Sequence, residues 1–133
     1  MSAITYSTIR TITAEQLSAL FQASTITRPY EDLARLEGML HHANLLITAW
    51  DEEKLVGVAR SLTDFHYACY LSDLAVHLDY QHQGIGKALI KETQSRIGEQ
   101  VALILLSAPE AMDYYPKVGF ERIENGFIVK RKG

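Results

Sequence analysis

Gly84 and Gly86, one residue apart, stand between a strand-like run and an amphipathic helix, and this junction constrains the fold more than any other stretch of the chain. The run before it, residues 70–78, is largely apolar and holds several β-favouring residues. After it, Ile85, Ala88, Leu89, Ile90, Thr93 and Ile97 fall on one helical stripe closed by Gly98. Residues 101–106 are then a nearly unbroken aliphatic run, the pattern of a strand covered on both faces. Strand, tight turn, helix and buried strand in that order predict an α/β layer structure. The turn also predicts a ligand. Its glycines let the backbone approach closely, and the helix behind them directs unpaired N–H groups and a positive dipole end outwards. An anion such as a pyrophosphate suits that position.

Two well-known phosphate loops do not fit. A P-loop has four residues between its glycines and then Gly-Lys-Ser/Thr, whereas here only Ile85 separates the glycines and Gly86-Lys87 is followed by Ala88. A dinucleotide fingerprint requires a third small residue where Leu89 stands and an acidic residue near Ser107, and too few residues follow to build a doubly wound sheet.

The segment Gln81-His82-Gln83-Gly84-Ile85-Gly86, behind Leu74-Ala75-Val76, resembles the acetyl-CoA motif of the GNAT superfamily of N-acetyltransferases. A second segment, Ala111-Met112-Asp113-Tyr114-Tyr115-Pro116-Lys117-Val118-Gly119-Phe120, resembles that family's Ala-x-x-Phe-Tyr-x-x-x-Gly-Phe stretch, in the family's order. Leu55-Val56-Gly57-Val58-Ala59-Arg60 is similar to its central hairpin strand, so the resemblance spans essentially the whole chain. Arg28-Pro29, Ala59-Arg60 and Thr63-Asp64 are similar to small stand-alone members. The resemblance implies an α/β three-layer fold: a central, mixed, largely antiparallel twisted sheet of about six to seven strands, flanked by helices, with a splayed strand pair binding the cofactor. It implies one acetyltransferase domain over residues 1–133 that uses acetyl-CoA as cosubstrate and no metal. The implied reaction is direct attack of a primary amine on the thioester in a ternary complex. A non-catalytic acyl-CoA-binding sensor of the same fold is the alternative, and a protein-interaction subunit is a third reading.

Residue roles follow from the same resemblance. Leu74, Ala75 and Val76 pair with the pantetheine amides and polarise the thioester. The backbone of Gln83, Gly84, Ile85, Gly86, Lys87 and Ala88 holds the diphosphate, with Gln81 adding a side-chain contact and Lys87 a charge. Ala108 stands where many relatives carry asparagine. Tyr115 matches the tyrosine beside the acetyl-CoA sulfur and is the expected general acid. A thiol with a pKa near ~8.5 leaves more easily than a phenol at ~10 ionises, so a tyrosine protonates the thiolate without being a strong acid. No motif specifies a general base among Asp73, Asp64, His66 and His77; Asp73, at the start of the splayed strand, is the foremost candidate. Arg28, Tyr30 and Asp64 are expected at the acceptor site, beside Glu31 and Asp32, which equally suit the first turn of a helix. Trp50, Phe65 and Tyr67 suit an aromatic wall or the core. Neighbouring His41 and His42 point to different sides of a helix and lack a completing metal ligand.

Composition narrows the partners. With 133 residues, 47% of them hydrophobic, one core is within reach. A net charge of −3, with 13 basic residues scattered apart from Lys130-Arg131-Lys132, gives no broad footprint for nucleic acid and accommodates a cationic, small-molecule amine. Cys69 is the one cysteine and lies in an apolar strand, which suits a buried thiol. No signal-like or membrane-spanning run is evident, so the expected location is the cytoplasm. Expected elements are a strand within residues 3–10, a helix capped by Thr13, a helix over 30–42, a hairpin of 43–50 with 55–62, a short helix over 109–117, and two final strands, 120–123 and 127–130. The apolar residues of those last strands suit either the sheet or a homodimer interface.

Overall fold

The structure, a computed structural model, describes residues 3–133. Its elements are β1 (Ile4–Ser7), α1 (Ala14–Gln22), α2 (Leu33–His42), β2 (Leu45–Asp51), β3 (Lys54–Thr63), β4 (Ala68–Val76), α3 (Ile85–Ile97), β5 (Ala102–Ile104) and α4 (Tyr114–Lys117). Local chemistry sets the helix starts. Thr13 and Gln16 form a reciprocal capping box at α1, and the Asp32 carboxylate accepts the Arg35 N–H at α2.

The strands form one sheet in the order β1-β2-β3-β4-β5. The first four are antiparallel and β5 runs parallel to β4. Helices cover both faces. On one, Leu17, Leu20 and Phe21 of α1 and Leu36 of α2 pack on Trp50, Leu55, Val58 and Ala75. On the other, Ile85, Leu89, Ile90 and Ile97 of α3 pack on Ile47, Ala49, Val56, Ala59, Cys69 and Leu71. The three-layer α/β architecture with a mixed, largely antiparallel sheet therefore forms. At Gly57 α3 packs tightly on the sheet: a Cβ there would stand 3.1 Å from Leu89 Cδ1, 3.2 Å from Ile85 Cγ2 and 3.2 Å from Ala49 Cβ.

The sheet has five strands among the described residues, fewer than the six to seven expected. Residues 120–123 and 127–130 pair with nothing, and every residue from 121 to 133 is exposed. Several β-favouring residues there suit a strand, but a strand needs a partner edge as well as favourable residues. No described helix is long and apolar enough to cross a membrane.

Candidate active site

The site begins with an irregularity in β4. Arg60 pairs with Asp73 but Ser61 pairs with Leu71, so Ser72 is an extra residue in β4, a β-bulge. The pairing of β4 with β5 covers three positions and ends at Tyr70↔Ile104, two residues before that bulge. A bulge bends its strand and increases its twist, so β4 turns away from β5 and runs on to Val76 without a partner on that side. The result is a wedge between two parallel strands. The His77 N–H bonds the Val56 carbonyl of β3. By alternation the backbone of Ala75 also faces β3, and that of Leu74 and Val76 faces the wedge. Ala75, expected to bind cofactor, instead turns its 1% exposed side chain into the core beneath α1.

Three charged residues hold the bulge. Asp73 is fully buried, with one carboxylate oxygen accepting from Arg28 Nε and the other from Arg60 Nε. Arg28 also donates to the Ser72 and Thr27 carbonyls, and Arg60 donates to the Ser72 hydroxyl at 3.0 Å. Both Asp73 oxygens are thus committed to guanidinium groups, which leaves none free for an incoming ammonium proton; the expected base is instead the anchor of an ion-pair cluster. Arg28, expected at the acceptor, spends its guanidinium on the same cluster and ties the connection between α1 and α2 to β4.

The glycine turn follows. His82 and Gly84 both adopt left-handed backbone, at φ 66° and 81°. Such residues curl successive N–H groups towards one centre, an anion-binding nest. Gly84 is the N-cap of α3, and no side chain caps it, whereas α1 and α2 are both capped by side chains. The first-turn N–H groups of Ile85, Gly86 and Lys87 are thus open to a ligand. Ala88 lies behind them, its N–H bonded to the Gly84 carbonyl. Gln83 and Lys87 are exposed on the turn. Gln81 donates its side-chain amide to the Val76 carbonyl at 3.0 Å, tying the turn to the end of β4 rather than reaching outwards. This bond places the helix terminus at the wedge. A Cβ on Gly86 would stand 3.9 Å from Val76 Cγ2 and 2.9 Å from the Tyr114 hydroxyl.

The two tyrosines close the site. Tyr115 stacks edge-on against Tyr114 and Phe120, with ring centroids 5.2 and 5.4 Å away, and packs in the core cluster with Leu74, Val76 and Leu105. Burial, and secondarily Tyr114, push its pKa above that of a free phenol, while the Arg28 charge acts in the opposite sense. Tyr115 is therefore protonated at neutral pH and ready to donate. Tyr114 has no role assigned from its motif, yet its hydroxyl lies over the first turn of α3. The small residue at Gly86, which makes room for that hydroxyl, is the signal that a sequence offers.

The other candidates lie elsewhere. Asp64 caps the β3–β4 turn, its Oδ1 accepting from the N–H groups of His66, Tyr67 and Ala68, and these bonds lower its pKa to about 2. Six residues of extended strand separate Ala68 from Leu74, roughly 20 Å at ~3.3 Å per residue, so Asp64 stands at the far end of the hairpin. Tyr30 is exposed beside Arg28 and its carbonyl accepts from Ser18. Trp50 is core, covered by Arg10 at 3.5 Å, and Phe65 and Tyr67 are exposed on the distant turn. No group of three or more potential metal ligands occurs among the described residues.

Comparison with known proteins gives one pattern. Residues 9–131 match the acetyltransferase (GNAT) domain. An uncharacterized N-acetyltransferase, ycf52 of Pyropia yezoensis, is 33% identical over 55% of this chain and 43% of its own length, so the chain spans less than half of that relative. Among solved structures, a GNAT-family acetyltransferase protein from Streptococcus pneumoniae TIGR4 superposes with a TM-score of 0.72 at 27% identity, covering 99% of this chain and 100% of that one. The aminoglycoside N-acetyltransferase AAC(6')-Iy, solved in complex with CoA, shares the fold, with a TM-score of 0.74 at 18% identity over 100% and 97% of the two chains.

Proposed function

Since the chain belongs to the GNAT acetyltransferase family, we propose that residues 1–133 are a single acetyl-CoA-dependent N-acetyltransferase domain that acts in the cytoplasm on a small-molecule primary amine. The observation that carries this reading is the uncapped N-terminus of α3 held against the open end of the β4–β5 wedge, with Tyr115 in the wedge wall. A diphosphate satisfies the open N–H groups of residues 83–87. An extended pantetheine arm lies along the wedge-facing backbone of Leu74 and Val76 as a further strand would, beside the Val76 carbonyl that Gln81 already holds. That the structure of a fold relative holds CoA supports the same assignment.

Acetyl transfer forms a nitrogen–carbon bond and breaks the carbon–sulfur bond of the thioester, leaving a thiolate that takes up a proton. Tyr115 supplies that proton. Its hydroxyl is neutral at working pH, and the nearby Arg28 charge makes it a better donor than burial alone would leave it. The backbone N–H groups at Leu74 and Val76 stabilise charge on the carbonyl oxygen as the amine attacks. The Arg28–Asp73–Arg60 cluster fixes the bulge on which this geometry depends. The proton lost from the amine passes to water, since both oxygens of Asp73 are engaged.

The test is thiol release from acetyl-CoA with polyamines, arylalkylamines, aminoglycosides and amino acids as acceptors. Turnover with one amine class, slowed on the order of 10²-fold by Tyr115→Phe with CoA affinity retained, is the expected result. Turnover unaffected by that substitution overturns the role of Tyr115. CoA binding without turnover on any amine favours the acyl-CoA sensor.

A further inference from the structure

The Arg28–Asp73–Arg60 cluster is not neutral. Two guanidinium groups share one carboxylate, and neither pairs with any other acid among the described residues. One positive charge thus lacks a counter-charge of its own. It is accessible at Arg28, whose side chain is 29% exposed, and not at Arg60, where the figure is 7%. An arginine carries five N–H donors. Arg28 gives one to Asp73, one to the Ser72 carbonyl and one to the Thr27 carbonyl, which leaves two without an acceptor among the described residues. Its backbone is held in place: the Tyr30 N–H donates to the Arg28 carbonyl at 2.8 Å, and the Ser18 hydroxyl to the Tyr30 carbonyl at 2.7 Å.

This charge stands beside the wedge. The Leu78 N–H donates to the Ala23 carbonyl and Arg28 to the Ser72 carbonyl, so the connection between α1 and α2 runs along β4 from its exit back to the bulge. Arg60 also donates to the Met39 carbonyl of α2 at 3.4 Å, which places the cluster on the face of the sheet that α1 and α2 cover. The diphosphate seat at α3 belongs to the opposite face. A cofactor entering the wedge from the α3 side leaves the other side to the acceptor, and there Arg28 acts on the Tyr115 hydroxyl. A polyamine or an aminoglycoside would add positive charge to a site that already has an excess. A carboxylate would supply the counter-charge that is missing.

We propose that the acceptor is a free amino acid, its carboxylate docked on the two open N–H groups of Arg28 while its amine attacks the thioester. Two residues of strand, roughly 7 Å at ~3.3 Å per residue, separate Ser72 from Leu74, a span that suits an amine and a carboxylate a few bonds apart. The assignment rests on the acetyltransferase reading and keeps its balance: the nitrogen–carbon bond forms, the carbon–sulfur bond breaks, the amine proton goes to water and the thiolate takes that of Tyr115. The excess positive charge beside the amine favours its uncharged, attacking form.

The test is thiol release from acetyl-CoA by the full chain with neutral amino acids, each beside its methyl ester and its decarboxylated amine. For an amino acid that turns over, kcat/KM is expected to exceed that of both partners by about 10- to 100-fold, the range of a hydrogen-bonded contact to a charged group. The ester amine is less basic than the parent and the decarboxylated amine more basic, so a preference over both does not come from basicity. Arg28→Lys, whose ammonium stays with Asp73 and lacks the fork, is expected to bring the ratio towards one by raising KM for the acid. A purely structural role would slow all three compounds alike, and a ratio unchanged in the variant overturns the proposal. So does a wild type that does not favour the acid, a result that stands even where the variant fails to fold, and so does turnover on no amino acid. Calorimetric titration of CoA into the same preparation separates these failures. CoA binding retained leaves the acetyltransferase reading standing, and its absence overturns both.

Discussion

Tyr115 holds its proton more tightly than a free phenol because its ring is buried against Tyr114 and Phe120. For Tyr115 as the proposed proton donor, the functional consequence is a flat alkaline limb. The hydroxyl is protonated below its raised pKa, so activity should not fall through loss of the Tyr115 proton until the pH exceeds the ordinary phenol value of ~10. A pH profile of kcat with a break near pH 8 that disappears in Tyr115→Phe would contradict this. Asp64 titrates at the other extreme. Its folded-state pKa of about 2 lies below the unperturbed 3.8, so the stability it contributes is present above the unfolded value and is lost as pH falls from about 4 towards 2. Thermal melts across that window should show an acid-labile component in the wild type that is absent from Asp64→Asn.

Among elements, β4 carries the most consequential feature, and it rests on charge. Removing the carboxylate by Asp73→Asn leaves the 7% exposed side chain of Arg60 without its counter-charge, and loss of one partner from a buried pair costs about 3–5 kcal/mol. Urea denaturation is expected to show a loss of that order. Arg28→Lys should instead act mainly on the site: a lysine reaches Asp73 as a point charge but does not bridge it to the Ser72 carbonyl. At the contact between α3 and β3, Gly57→Ala pushes a methyl group against Leu89, Ile85 and Ala49 together and should destabilise by about 1–3 kcal/mol. These features differ in how far a sequence reveals them. The capping box at Thr13 and Gln16 and the turn at Gly84 are local, fixed by residues within one helical turn, and were legible. The pairs that Asp73 makes bridge 45 and 13 positions, and nothing in the spacing of Arg28, Arg60 and Asp73 announces that the three meet. The bulge at Ser72 likewise depends on register between strands, which alternation along one strand does not fix.

For the molecule as a whole, the α/β layering was legible because hydrophobic period and turn chemistry agree along most of the chain, while the three-layer order and the mixed sheet were expected from the family resemblance. Pattern and structure diverge at residues 120–130, where β-favouring residues occur but no edge of the five-stranded sheet pairs with them. Net charge adds a further constraint. At −3 the protein repels a polyanion on average, so the proposed affinity for CoA has to arise locally, from the open amides of the turn and the dipole of α3. Binding of that kind stabilises the folded chain by mass action, by about 2.7 kcal/mol at a ligand concentration one hundred times Kd. Calorimetric titration of CoA into the full chain is therefore the most direct measurement. Saturable binding of one CoA per chain, with a matching rise in Tm, is the predicted result. Absence of saturable binding would contradict the assignment of residues 81–88 and the wedge, and with it the acetyltransferase reading.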